Sequence, residues 1–170
     1  MHTLTGLAHD RASKVAYDPA SNEAGLRNRS LKLAALQKTL RLPDVHGDPD
    51  GDLLVLGWGS TRGAIEEAVD ALRADGHRIS SLHLRFLNPL PSGIGDVMKR
   101  FRKVMTVESN WSDSLDEELI DGENRRYSAL ALLLRAKYLV DVDCWTEVRS
   151  RPIKPGVVRA ALSAALEKLS

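Results

Sequence analysis

Sulfur and aromatic side chains are scarce in this 170-residue chain, which contains one cysteine, three tryptophans, three tyrosines and two phenylalanines. The single Cys144 excludes an internal disulfide, and it excludes a four-thiolate iron–sulfur cluster or a cysteine-rich zinc site supplied by this chain alone. With so few aromatic rings, we do not expect a stacking platform for single-stranded nucleic acid. We therefore expect a reducing compartment, and we expect any redox metal to come from another chain.

Excess charge of one sign and long apolar runs are also lacking. Lys and Arg number 24 against 23 Asp and Glu, which gives a formal charge of +1 and argues against a nucleic-acid or anionic-membrane binder. The longest apolar run, residues 129–134, is far too short to span a bilayer, and Asp10, Arg11 and Lys14 interrupt any signal peptide. The composition, 43% hydrophobic, supplies a proper core. We expect a globular, cytoplasmic protein.

The chain is predicted to divide into an arm over residues 1–50 and a compact domain over residues 51–170. Residues 1–25 show neither helical nor strand periodicity, and Asp18-Pro19 is typical of a turn. Leucines at helical spacing predict one helix over residues 26–40, and a loop rich in Pro, Gly and Asp follows it. We expect this arm to lead away from an upstream domain, so that the chain is a fragment of a longer subunit.

Strand and helix patterns alternate after residue 50, with short connections. This alternation predicts an α/β fold, a three-layer α/β/α sandwich with a mostly parallel sheet. Continuous or alternating apolar runs predict the strands, and apolar residues three or four apart predict the helices. The predicted strands are 53–56, 79–87, 104–107 and 138–142, with a weaker one at 145–148, and the predicted helices are 62–74, 92–101, 126–137 and 156–169.

The segment GWGST lies where the first of these strands meets a helix. Such a junction offers free backbone N–H groups and the positive end of a helix dipole, which suit a phosphate or carboxylate. Gly57, Gly59, Ser60 and Thr61 are therefore ligand-binding or interface candidates. The spacing does not fit a dinucleotide fingerprint or a P-loop, and a tight turn with Thr61 as the helix cap is the competing interpretation.

Two further pairs of polar residues are predicted at the ends of neighbouring strands, where open α/β folds bind ligands. His83 and Arg85 would share one strand face, and Arg85 could bind a carboxylate or phosphate bidentately. Glu108 and Asn110 follow the next strand and would lie at the same edge of a parallel sheet. A structural ion pair of Arg85 and a capping role for Glu108 and Asn110 are the alternatives.

No complete catalytic or metal-binding constellation occurs in the sequence. His46 and His77 lie in predicted loops without metal-ligand spacing, and Ser60 is not in a G-x-S-x-G nucleophile elbow. Residues 109–124 hold six acidic side chains and no basic one, which is typical of a solvated insertion, with docking of a basic partner as the alternative. We therefore predict no catalytic residue and no metal ligand.

Several segments, in order along the chain, resemble the C-terminal part of the alpha subunit of 2-oxoacid:ferredoxin oxidoreductases, in particular those of the 2-oxoglutarate type. The two most specific are LLVLGWGST and LHLRFLNPLP. The resemblance implies a fold similar to the transketolase C-terminal domain, called domain II in this family. The matching segments are TGLAHD at 5–10, AYDP at 16–19, GDLLVLGWGSTRGAI at 51–65, LHLRFLNPLP at 82–91 and LLLRAKYLVDV at 132–142.

For the whole enzyme, the resemblance implies oxidative decarboxylation of a 2-oxoacid to an acyl-CoA with transfer of electrons to ferredoxin. It implies thiamine diphosphate, Mg²⁺ and an iron–sulfur cluster, none of them bound by this chain alone. The implied partners are the beta subunit, and ferredoxin and coenzyme A through the whole complex, while a homodimer of the fragment is a further alternative. The isolated chain, a non-catalytic assembly domain, is expected to be inactive.

This sequence departs from the family at one loop. The family usually carries P-E-L-N-x-G-Q before the leucine-rich helix, whereas here residues 107–110 are followed by the acidic insertion and the Gly-Gln pair is lost or displaced. The rival interpretation to an assembly domain is a free-standing α/β module that binds a small phosphate or carboxylate ligand at residues 57–61 and Arg85.

Overall fold

The structure, a computed structural model, describes residues 6–169, so that Thr5 of the TGLAHD segment lies outside the described residues. The chain divides into two compact units. The first comprises Met1–Arg41 and Asn88–Ser92, and the second comprises Leu42–Leu87 and Gly93–Ser170. The predicted division at residue 50 stays a prediction.

Helix α1, Pro19–Thr39, dominates the first unit. The Asp18 carboxylate accepts a hydrogen bond from the Ser21 amide at 2.8 Å, and Pro19 occupies the first helical position. This hydrogen bond lowers the pKa of Asp18. The prediction that Asp18-Pro19 is a turn is therefore wrong, because an Asp cap followed by Pro at the first position starts a helix equally well. No residue of α1 is buried, and within its unit Gln37 donates a hydrogen bond to the Leu90 carbonyl.

The second unit is built on a five-stranded sheet with the order β1-β3-β2-β4-β5. The strands β2, β3, β4 and β5 are mutually parallel, and the two-residue β1 is antiparallel to β3. The mostly parallel α/β sheet predicted from the alternation of patterns is confirmed. The strands are β1 Val45–His46, β2 Gly51–Trp58, β3 Ile79–Leu84, β4 Phe101–Glu108 and β5 Val142–Thr146.

Four helices cover the two faces of this sheet. Apolar side chains of α2 and α5 pack against Leu53 and Val55 of β2 and Met105 and Val107 of β4. Neighbouring residues on a strand point to opposite faces, so Thr106 and Glu108 belong to the other face, which α4 covers. The helices are α2 Arg62–Ala74, α3 Ile94–Met98, α4 Ala129–Tyr138 and α5 Pro155–Glu167, with the 3-10 turn Gly59–Thr61 before α2. None of the helices in residues 6–169 combines the length and apolar character needed to cross a bilayer.

Two predictions, one about β5 and one about β3, are wrong. Residue 138 ends α4 and Leu139 is left-handed with φ of 53°, so the strand predicted over 138–142 instead begins at Val142. Strand β3 ends at Leu84, so Arg85 does not share a strand face with His83. The apolar residues that suggested longer strands lie at the end of α4 and in the connections next to β3 and β5.

The free edge of β5 is covered by side chains rather than by another strand. Arg135 donates to the Val142 carbonyl at 2.9 Å, and Arg125 donates to the Cys144 carbonyl at 3.2 Å. Both guanidinium groups lie over the Tyr127 ring, with Cζ of Arg125 4.7 Å and Cζ of Arg135 4.3 Å from the ring centroid. Charged groups on an edge strand disfavour its pairing with another chain, and these two arginines engage two of the outward carbonyls of β5.

Candidate functional site

The GWGST segment forms a tight connection between β2 and α2. A Cβ atom at Gly57 would lie 2.2 Å from Cδ1 of Ile65 and 2.7 Å from Oγ1 of Thr61, so any larger residue would force these two side chains to move. Gly59 has a φ of +61°, which also favours glycine. The close packing of Gly57 lets α2 approach the sheet.

Thr61 does not cap α2 with its side chain, which corrects the sequence prediction. Its hydroxyl donates instead to the carbonyl of Trp58 at 2.9 Å, inside the turn. Thr61 is buried and Ser60 is exposed. The hydroxyl therefore stabilises the turn, and its oxygen accepts no hydrogen bond from the first amides of the helix.

Glu108 is a fully buried carboxylate at the end of β4. The backbone amides of Leu130 and Ala131, in the first turn of α4, donate to it at 3.0 and 3.3 Å. Four side chains donate as well: Trp58 Nε1 at 3.2 Å, Asn110 Nδ2 at 2.8 Å, Thr106 Oγ1 at 2.8 Å and Ser128 Oγ. A negative charge at a helix N-terminus is favoured by the helix dipole. Glu108 thus caps α4 from a neighbouring strand.

Two opposing effects set the pKa of Glu108. Burial raises the pKa, but the hydrogen bonds from Ser128, Asn110, the Leu130 amide and Thr106 together outweigh it. The pKa of Glu108 therefore lies below its ordinary value, and the carboxylate is ionised at neutral pH. An ionised group whose hydrogen-bonding positions are all engaged by the protein suits a structural role better than proton transfer.

His83 lies on the other face of the sheet. It is in register with Gly57, whereas Trp58 and Glu108 follow on the opposite side of the pleat. Its Nδ1 atom is buried and has no hydrogen-bond partner among the described residues. Burial lowers the pKa of His83, nearby Arg62 lowers it further, and Glu66 partly opposes this. The ring is therefore neutral at pH 7.

The predicted site residues therefore separate into two groups at the carboxyl edge of the sheet. Trp58 of the GWGST segment joins Glu108 and Asn110 on the face covered by α4. His83 faces α2, and Arg85 is exposed just beyond β3, without a salt bridge to any residue in 6–169. The parallel pairing expected for β4 is confirmed, whereas a ligand-binding role for these residues stays a prediction.

The acidic insertion contains one buried carboxylate, Asp113. Arg126 donates to it from its side chain at 2.9 and 3.0 Å and from its backbone amide at 2.9 Å, and Trp111 Nε1 donates at 3.0 Å. These hydrogen bonds, those from Arg126 first, hold the pKa of Asp113 far below its ordinary value. Asp113 therefore connects the two ends of the insertion, whereas the sequence analysis predicted that the whole insertion is solvated.

Sequence reasoning missed the donors around Glu108. Ser128 directly precedes the leucine-rich helix, as a capping residue does, and Thr106 lies two residues before Glu108, on the same strand face. These two signals could have identified the cluster. The contribution of Trp58 could not have been found, since it depends on the adjacency of β2 and β4.

The residues present do not fit the cofactors that the resemblance implies for a whole enzyme. Cys144 is the single thiol and is buried, so an iron–sulfur cluster lacks its other ligands. Within residues 6–169, no group of three or more His, Cys, Asp or Glu side chains could hold a metal ion. We therefore assign no cofactor chemistry to this chain.

Comparison with known proteins gives one family match and several relatives. Residues 51–128 match the family model of the pyruvate:ferredoxin oxidoreductase core domain II. The chain is 34% identical to 2-oxoglutarate oxidoreductase subunit KorA of Mycobacterium tuberculosis over 99% of its length, and 28% identical to the alpha subunit of 2-oxoacid:ferredoxin oxidoreductase 2 of Aeropyrum pernix over 96%. The chain spans about a quarter of these relatives, 24% in each case.

Solved structures support the fold. A 2-oxoglutarate:ferredoxin oxidoreductase from Magnetococcus marinus, with 2-oxoglutarate, coenzyme A and succinyl-CoA bound, matches 96% of this chain and 26% of its own at a TM-score of 0.74 and 23% identity. A split-gene transketolase, an inactive beta4 tetramer, matches 75% of this chain and 43% of its own at a TM-score of 0.50 and 18% identity. The predicted likeness to a transketolase domain is confirmed.

Proposed function

Since residues 51–128 belong to the pyruvate:ferredoxin oxidoreductase domain II family, we propose that the chain is a non-catalytic assembly domain of a 2-oxoacid:ferredoxin oxidoreductase alpha subunit. The observation that carries the proposal is the similarity to alpha subunits along 99% and 96% of the chain. The geometry supports the non-catalytic part. Glu108, the most buried carboxylate of the candidate site, is committed to capping α4 and to bonds with Trp58 and Asn110.

The whole enzyme in this proposal converts a 2-oxoacid and coenzyme A into an acyl-CoA. Carbon dioxide leaves, and the two electrons released pass to ferredoxin. We take 2-oxoglutarate as the 2-oxoacid, because the relative at 34% identity is named for it. Thiamine diphosphate, Mg²⁺ and the iron–sulfur cluster would be held by other domains or by the beta subunit. A cytoplasmic location belongs to the same proposal and is supported by the use of a single, unpaired cysteine.

Co-expression tests this function. The complete alpha subunit that contains this sequence is produced with a candidate beta subunit, and complex formation, acyl-CoA production and ferredoxin reduction are measured for several 2-oxoacids. We expect a stable complex that is active on 2-oxoglutarate, and no activity from the 170-residue chain alone. A complex without activity on any 2-oxoacid would refute the enzyme assignment, and turnover by the isolated chain would refute the non-catalytic role.

A second candidate function rests on His83 and Arg85. The buried Nδ1 of His83 has no partner in residues 6–169, and the exposed Arg85 guanidinium lies close enough to lower the pKa of His83. These groups could bind a small phosphate or carboxylate beside the first turn of α2. Calorimetric titration of the chain with coenzyme A, nucleotides and dicarboxylates tests this: binding that Arg85→Ala abolishes favours a ligand-binding module, and the absence of binding favours an assembly domain.

A further inference from the structure

An apolar groove lies between the acidic insertion and the end of β5. It encloses about 640 Å³, and Trp111, Leu119, Ile120 and Val148 supply its apolar lining. Trp111 is 68% exposed and Leu119 is 84% exposed, although both are large apolar residues. Contiguous exposed apolar side chains of this kind commonly mark a binding surface. We call this surface, lined by residues 111–114 and 117–120 together with Arg126, Thr146 and Val148, the acidic groove.

Specific bonds hold the two walls of the acidic groove in place. Asp113 is buried and is bonded to Arg126 and to Trp111 Nε1, which fixes the tryptophan ring at the wall. Ser112 Oγ lies 2.9 Å from Thr146 Oγ1 and connects the insertion to β5. The exposed apolar side chains therefore stand on a defined framework. A preformed surface reduces the ordering cost of binding.

Two carboxylates of the insertion that have no salt bridge in residues 6–169, those of Glu117 and Glu118, line the acidic groove. Five acidic residues of the insertion form no salt bridge with any residue in 6–169, whereas Asp113 is paired with Arg126. Their charges are thus free to attract a cationic partner and to repel an anionic one. The five are Asp116, Glu117, Glu118, Asp121 and Glu123.

We propose that the acidic groove binds a protein segment that presents an apolar side chain flanked by Lys or Arg. The apolar side chain would lie against Trp111 and Leu119, and the flanking cations would pair with Glu117 and Glu118. An apolar centre within a polar rim is the usual arrangement of a protein interface. A phosphate, a nucleotide or coenzyme A is disfavoured by the local negative charge. The proposal does not depend on the enzyme to which the chain belongs.

A designed peptide tests the proposal directly. A 16-residue amphipathic peptide with a leucine face and flanking lysines is labelled with fluorescein and titrated with the full 170-residue chain, and binding is followed by anisotropy. Two control peptides have the lysines replaced by glutamate or the leucine face dispersed by scrambling. We expect binding of the first peptide only, with an affinity that falls as NaCl is raised from about 50 to about 500 mM.

Substitutions in the chain separate apolar binding from charge attraction. Leu119→Asp adds a negative charge, so a purely electrostatic surface would bind the peptide more tightly, whereas the acidic groove should bind it about tenfold more weakly. Glu117→Gln combined with Glu118→Gln should weaken binding about threefold and reduce its salt dependence. Leu139→Asp is the matched control, since Leu139 is 90% exposed and does not line the acidic groove, and its affinity should be unchanged.

Four results would overturn the proposal. They are the absence of binding at millimolar chain, equal binding of the glutamate peptide, unchanged or tighter binding by Leu119→Asp, and a loss of equal size in Leu139→Asp. Analytical ultracentrifugation of the chain alone addresses another occupant. Self-association that Leu119→Asp abolishes would show that a second copy occupies the acidic groove, which would also refute the proposed partner.

Discussion

Replacement of Glu108 gives the sharpest test of the structure, because its carboxylate connects β4 to the first turn of α4. In Glu108→Ala the amides of Leu130 and Ala131 lose their acceptor inside the protein. A buried donor left without a partner costs about 1–3 kcal/mol, so the two amides together predict a loss of about 2–6 kcal/mol in the free energy of unfolding. The Thr106 and Ser128 hydroxyls, 3.2 Å apart, can bond to each other and add little.

Glu108→Gln should lower the free energy of unfolding less than Glu108→Ala does, because most of the hydrogen bonds can be kept. If the new NH₂ group replaces Oε1, the hydroxyls of Thr106 and Ser128 can rotate and accept from it. The Ala131 amide cannot do so, and its 3.3 Å bond is lost. The side-chain oxygen at the other position still accepts from Leu130. We expect a loss of about 1–2 kcal/mol, which corresponds to one hydrogen bond and the charge of the acceptor.

The pH dependence follows from the lowered pKa of Glu108. A carboxyl with a pKa lower in the folded state than in the unfolded state stabilises the protein above the unfolded pKa, and this stabilisation is lost as the pH falls through the folded pKa. The ordinary pKa of the group is 4.5. The difference in stability between wild type and Glu108→Gln should therefore be complete at pH 6–7 and should narrow below about pH 4.5, where the protonated carboxyl resembles an amide.

Urea unfolding followed by circular dichroism measures these free energies at pH 7, 5 and 4. Asp141→Asn is the control, since the Asp141 side chain is 90% exposed and its pairing with Arg135 should contribute no more than about 0.5 kcal/mol. The reasoning is refuted if the free energy of unfolding of Glu108→Ala lies within about 1 kcal/mol of wild type, or if Glu108→Gln loses more than Glu108→Ala. It is also refuted if the difference in free energy between wild type and Glu108→Gln is the same at pH 4 and pH 7.

Three further predictions concern other parts of the second unit. Gly57→Ala should lower the free energy of unfolding by about 2–4 kcal/mol, because its Cβ would overlap Ile65, whereas Gly63→Ala, with open space around it, should be neutral or slightly stabilising in the same urea assay; equal effects would contradict the packing at Gly57. Asp113→Asn should weaken the connection of the acidic insertion. Amide hydrogen exchange in the insertion should be faster than in wild type, with a larger increase than in β2, and unchanged protection of the Arg126 amide would contradict this prediction. Arg125→Ala should expose the Cys144 carbonyl at the free edge of β5 and increase self-association in light scattering, and a variant that stays monodisperse would show that Arg125 is not needed to protect that edge.

Much of the sheet could be predicted because local pattern and burial agree there. The predicted helix at 62–74 coincides with α2, which ends before Gly76, and Gly76 supplies a left-handed residue with φ of +93°. Helix α1 begins seven residues before the predicted start, because Pro19 fits the first position of a helix as well as a turn. A helix without buried residues lacks the apolar periodicity that would have revealed its full length.

The candidate site was predictable only at the level of the sheet edge. Strand ends place Gly57, His83 and Glu108 at the same edge, as parallel pairing requires. The face that each side chain takes depends on register, and a difference of one position sends His83 toward α2 and Glu108 toward α4. Register is set by pairing between distant segments, which a single sequence does not display.

The lone thiol has a practical consequence. Cys144 is 5% exposed, and its strand edge is covered by Arg125, so it should react slowly with maleimides and similar reagents. A cysteine introduced at an exposed position such as Ser60 would then be the one fast-reacting thiol among these 170 residues. Dyes or spin labels could be attached there without first removing the native residue, which gives a direct route to distance measurements between this domain and whatever it assembles with.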